Sequence, residues 1–186
     1  TNGALNAVIP FAKKKVTEFW VWQLLSDVFV NDPDKQLACL LRAVNCNSQE
    51  KYLGKVRIKL VNICIQRNLF NLAKYQIDQI TKCYLSQGWR LPYDVECWLH
   101  QPWIDSATSS NEAPIDYLTI SDEILYGKVE KALAVVIYVD TNSHKTTLVY
   151  GHKKRLVQKL PIKVHPGVVI RINYILEPNG NPYVTS

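Results

Sequence analysis

The sequence predicts an α+β protein, with roughly 100 residues of basic amphipathic helices leading into a small basic five-stranded β-barrel. Three observations carry this. Apolar residues recur at helical spacing from Ala12 to about His100, and after Gly127 the period switches to two with β-branched enrichment. Between these regions lies an acidic, Pro-bearing stretch without period. Charge divides the chain the same way. Residues 1–100 hold 13 Lys/Arg against 8 Asp/Glu, residues 101–128 hold 1 against 5, and residues 129–186 hold 8 against 3. The expected organisation is therefore a helical domain at 1–104, an acidic linker with a short helical turn at 105–128, and a barrel at 129–186.

About five helices are expected. Residues 1–11 form an arm ending at Ile9-Pro10-Phe11. The first helix places Val16, Phe19, Trp20, Leu24, Val28 and Phe29 inward and stops at Asn31-Asp32-Pro33, which caps the next. That second helix buries Leu37, Leu40, Leu41 and Val44. A third runs from about Gln49 to Arg67 with Leu53, Val56, Leu60 and Ile63 inward, and a fourth from about Leu69 to Gln87 ends at Gly88. Pro92 starts a short fifth, to about His100.

Helix pairs of this size, each with an apolar face too large to bury alone, stack into solenoids. Asp34–Ala43, with Ala38 and Ala43 at close-contact positions, resembles the second helix of a tetratricopeptide repeat, and Asn68–Lys74 resembles the opening of another. The resemblance implies a protein partner held by the helices. The partner-binding candidates are Lys51, Lys55 and Lys59, spaced i, i+4, i+8 as one stripe, and Trp22, about 200° around the helical wheel from Trp20. The stripe reads either as a solvent face or as a basic concave surface for acidic peptides or nucleic acid. Lys13-Lys-Lys15 opens a helix against its dipole. Trp89, Trp98 and Trp103 read as packing that closes the helical stack.

Strands are expected at Leu133–Asp140, Lys145–Tyr150, within His152–Leu160, at Val168–Leu176 and from Tyr183 onward. Five short strands in so few residues close into a barrel, which removes exposed edges. The hairpin Val135–Gly151 resembles the first hairpin of cold-shock and ribosomal-S1-type domains, and Pro166–Tyr174 resembles their fourth strand. This OB-type resemblance implies RNA or single-stranded DNA across the second and third strands, with aromatic rings stacking bases and cations meeting phosphates. The candidate residues are Tyr138, Lys145, Tyr150, His152, Lys153, Lys154 and Arg155. Where cold-shock domains carry mid-strand aromatics this chain has Thr146 and Thr147, which keeps open a barrel that binds no nucleic acid.

No Gly-rich phosphate loop, His-Glu-x-x-His or Gly-x-Ser-x-Gly occurs. Four scattered histidines and five cysteines without a Cys-x-x-Cys pair suggest neither a metal site nor disulfides, but core thiols in a reducing, cytoplasmic setting. No catalytic residue, cofactor or membrane segment is expected. The absence of Met, with Thr at position 1, is what a fragment would show, and strand five begins so near residue 186 that residues beyond it are expected to complete the barrel. Helices followed by an OB-type barrel, with the Trp-rich segment Gln87–Trp103, resemble adaptor proteins of bacterial tellurite-resistance-type stress and conflict systems. That resemblance implies a non-enzymatic cytoplasmic adaptor. The competing reading is a pure protein-interaction scaffold.

Overall fold

The computed structural model describes residues 2–46, 48–151, 154–160, 163–178 and 180–186. The chain divides into two compact units, 1–117 and 118–186. The first contains α1 (Asn2–Lys14), α2 (Phe19–Val28), α3 (Pro33–Val44), a 3-10 turn (Glu50–Tyr52), α4 (Gly54–Gln66), α5 (Phe70–Ser86), α6 (Tyr93–Leu99) and α7 (Trp103–Ser106). The second takes nearly all of α8 (Tyr117–Tyr126), then β1 (Glu130–Val139), β2 (Thr146–Tyr150), β3 (Lys154–Gln158), β4 (Val169–Leu176) and β5 (Pro182–Val184).

In the helical unit α2 packs on α3, α3 on α4, and α4 on α5. The first helices of the two hairpins begin at Phe19 and Gly54. Leu25, Leu37, Leu40, Val56, Leu60 and Ile77 fill the space between them and are buried. Local chemistry sets the ends. The Asp32 side chain accepts the Lys35 amide at 3.2 Å, with Pro33 opening α3. Both hairpin helices α4 and α5 end in the same way. Asn68 (φ 57) and Gly88 (φ 67) take the left-handed conformation, and the next amide returns to the helix, Leu69 to Cys64 O at 2.8 Å and Trp89 to Tyr84 O at 2.9 Å. The Trp89 ring then meets Tyr84 edge-on at 5.5 Å.

Two helix boundaries differ from expectation. The chain breaks at Lys15–Glu18, so residues 2–14 are a helix rather than an arm. Lys13 and Lys14 thus lie in the last turn of α1, where the carbonyl end of the dipole favours positive charge. α4 starts at Gly54 rather than near Gln49, because Glu50–Tyr52 winds into a separate 3-10 turn.

The acidic stretch is shared between the units rather than forming a linker. Its first part straps onto α5: the Thr108 amide donates to Asn71 Oδ1 at 2.9 Å, Lys74 Nζ donates to Ile104 O at 2.8 Å, and Trp103 stacks on Phe70 at 5.0 Å. Its last part is α8, longer than the single turn expected.

The sheet runs β3-β2-β1-β4-β5, with every neighbouring pair antiparallel. The Gln158 side chain bridges the outer strands, donating to Val184 O at 2.7 Å and accepting the Val184 amide at 2.8 Å. This nearly closed five-stranded barrel is OB-like in strand order. Ala134, Val136, Leu148, Tyr150, Ile172 and Val184 make its core. α8 is tied to it through Asp122, buried, whose carboxylate accepts from Ser186 Oγ at 2.6 Å, Thr185 Oγ1 at 2.8 Å and Asn173 Nδ2 at 3.3 Å.

Candidate functional site

The barrel core is complete on one side of the sheet, and this leaves the other side as the candidate site. In β1 the pleat turns Ala134 and Val136 inward, so Leu133 and Val135 face out. Between Val136 and Tyr138 the register with β2 slips by one residue. This bulge leaves Ile137 and Tyr138 both exposed before Val139 turns back to the core. Leu133 is 65% exposed and Tyr138 is 58% exposed.

Cross-strand pairing extends this face in rows. Tyr138 pairs with Thr147, which pairs with Val157 of β3. Val135 lies between Val149 and Val169, and Val149 pairs onward with Arg155. Leu133 pairs with Arg171 of β4, and these two line a shallow recess with Lys131. The outward face is therefore an aliphatic floor with one tyrosine ring and two guanidinium groups. Among the described residues of these rows there is no carboxylate.

Asp140 lies in the β1–β2 turn and is already committed. Its Oδ1 accepts the Asn142 amide at 2.8 Å and the Ser143 amide at 3.2 Å, and bonds to Ser143 and Asn142 hold its carboxyl below the usual range. Lys145 is exposed just before β2. Lys154 is exposed at the start of β3, but pairing with Tyr150 puts it on the opposite pleat from Arg155. His152 and Lys153 lie outside the described residues.

Tyr150 is a correction. It is 4% exposed, pairs with Ala134, and packs its ring 5.2 Å from Tyr174 inside the barrel. The pleat of β2 puts Thr146, Leu148 and Tyr150 on the core side together, and Thr147 between them is buried as well, so Tyr150 offers no surface to a base. Arg171 and the bulged Ile137 were not singled out from sequence. The available signal was the unbroken apolar run Leu133–Val139, which lacks the polar alternation of a strand with one solvent face.

The helical candidates are largely absorbed by the fold. Trp22 is fully buried, donating Nε1–H to Val16 O at 2.8 Å, with the Arg42 guanidinium over its ring at 5.5 Å. Trp20, expected inward, is 40% exposed instead. The break before α2 rotates the helix relative to one continuous with Val16. The lysine stripe does not form. Lys51 sits in the 3-10 turn over the Tyr52 ring at 5.0 Å, Lys59 pairs with Asp27 at 2.7 Å, and only Lys55 stands exposed on α4 without such a partner. Arg57, between them, is buried, bonding Glu50 at 2.9 Å and Gln76.

No group of three His, Cys, Asp or Glu side chains suited to a metal ion occurs among the described residues. The cysteines are unpaired thiols, and burial pushes Cys39 and Cys64 up to about 12 and Cys46 up to about 11. Among the described residues no helix is long and apolar enough to cross a membrane.

No curated protein and no solved structure matches the chain. One family model, described as Domain of unknown function (DUF7017), matches residues 1–123 and leaves the strands of the barrel outside the match. The chain belongs to the DUF7017 family.

Proposed function

We propose that this chain is a non-enzymatic adaptor whose helical unit holds a protein partner and whose barrel binds single-stranded nucleic acid on the outward sheet face. The observation that carries the reading is the joint placement of Tyr138, Arg155 and Arg171 on one face without a carboxylate among them. Tyrosine rings and guanidinium planes both stack on bases, and the guanidinium groups also meet phosphates. The aliphatic floor supplies dry contact for base faces, and Lys145 and Lys154 add positive charge at the margins. The hairpin spacing from Phe19 to Gly54, close to the ~34 residues of a tetratricopeptide unit, supports a repeat-like partner-binding role for the helices. The order of the modules supports a place among bacterial stress and conflict adaptors, in the cytoplasm.

A specific observation favours a second reading. Leu133, Val135, Ile137, Val157 and Val169 are all exposed and outnumber the stacking groups, as on a surface that docks protein. Binding of labelled single-stranded RNA and DNA at two salt concentrations separates the readings. Binding that weakens with salt and is lost in Arg155→Glu/Arg171→Glu supports nucleic acid. No binding at low salt leaves the scaffold reading.

A further inference from the structure

We propose that Phe11, Trp20 and Leu24 form a docking surface for a protein segment that carries apolar side chains beside a run of carboxylates. The inference rests on the reading that the helical unit holds a protein partner, and it specifies where and by what chemistry. Trp20 and Leu24 are four residues apart on α2 and share one face. Val21, Trp22 and Leu25 on the other side are fully buried, so the helix has already met its core requirement. From α1 the Phe11 ring approaches Trp20 at 5.7 Å, tilted by 43°. All three residues are exposed. A contiguous aromatic and aliphatic patch on a surface is energetically unfavourable unless something covers it, and tryptophan is enriched where partners anchor.

Charge identifies the occupant. Lys13, Lys14 and Lys15 follow Phe11 after the buried Ala12 and are exposed. The neighbouring carboxylates are Glu18, at the start of α2, and Asp27, which is held at 2.7 Å by Lys59. That pair brings Lys59 of α4 to the α2 surface, and the exposed Lys55 lies one turn before it on α4. The apolar patch is thus bordered by net positive charge. A second copy of the chain docked face to face would set lysine against lysine, whereas an acidic segment neutralises them.

The test is fluorescence anisotropy of the whole chain with a labelled synthetic peptide carrying Leu at i, i+3, i+4 and i+7 and Glu elsewhere. A companion peptide has Lys for every Glu. The Glu peptide is expected to bind, with the Lys peptide at least about tenfold weaker. Leu24→Glu and Trp20→Ala are expected to weaken binding by about tenfold or more, and Lys14→Glu/Lys15→Glu to weaken it less while flattening its salt dependence. Both single substitutions are at exposed positions, and melting curves check that the helices persist. Equal binding of the two peptides, or unchanged binding in Leu24→Glu, overturns the inference. Loss of Glu-peptide binding in Lys55→Glu but not in Leu24→Glu overturns this surface while keeping the partner on the helices. No Glu-peptide binding by a chain that still binds RNA overturns the helical partner reading as well and leaves the barrel reading standing.

Discussion

The helical unit and the barrel treat their conspicuous side chains in opposite ways. In the helices the residues that look functional in one dimension are turned inward or paired. Trp22 is sealed against Val16 and Arg42, Arg57 is buried between Glu50 and Gln76, and Lys59 is taken by Asp27. In the barrel the core is a single layer, and what lies on its far side faces outward: Leu133, Val135, Ile137, Tyr138, Arg155 and Arg171. A helix with one broad apolar stripe uses most of it in packing against neighbours, and of α2 only the Trp20–Leu24 side is left outward. A strand that is apolar on both faces has one face left over. The contrast places the nucleic-acid surface on the strands, where it can be tested residue by residue.

The sharpest attack uses two tyrosines of the same hairpin. Tyr150→Ala removes a buried aromatic and should destabilise the barrel by about 3–5 kcal/mol. Tyr138→Ala should change stability by no more than about 0.5 kcal/mol yet weaken single-strand binding by about 1–3 kcal/mol. Melting curves and anisotropy on both variants check this, and a reversed pattern breaks the assignment of faces. Next come two buried polar anchors, one in each unit. Arg57→Ala leaves Gln76 without its donor, and Asp122→Ala leaves the Thr185 and Ser186 hydroxyls and the Asn173 amide without their acceptor. Each should lower the melting of its own unit by about 2–3 kcal/mol. Lys59→Ala, which removes an exposed ion pair, should cost less than about 1 kcal/mol.

The smallest effect concerns the thiols. Burial raises Cys39 and Cys64 from the usual value near 9 to about 12, so folding keeps both protonated. Their contribution is complete below pH ~9, where unfolded and folded thiols are both neutral, and is lost as pH rises toward 12. Melting of the helical unit should be insensitive to these groups between pH 7 and about 9 and decline above it. Reaction of native protein with a thiol reagent at pH 8 should leave both unmodified.

Much of the fold was legible because its signals are local. Asp32-Pro33 and Gly88 mark helix ends through capping, and the strand limits fall within a residue or two of the period-two runs, except that β1 starts three residues earlier, at Glu130. The misreadings come from parity and phase, which no single residue announces. Tyr150, a stacking candidate from the hairpin resemblance, shares parity with Leu148, which sends it inward. The bulge at Ile137 shifts the phase of β1 by one residue and brings Tyr138 out. The break at Lys15–Glu18 rotates α2, turning Trp20 outward and leaving Trp22 in the core. Arg57 sits within a run of lysines and looks like one more surface cation, until long-range packing gives it Glu50 and Gln76.

In the proposed function the outward sheet face of the barrel is the nucleic-acid surface. It is tested most directly by anisotropy of a labelled single-stranded oligonucleotide with the whole chain and with Arg155→Glu/Arg171→Glu, at low and moderate salt. Binding at low salt should weaken as salt rises and fall by about tenfold or more in the double variant, whose melting is unchanged. Absence of binding at low salt, or equal binding by the variant, would contradict it.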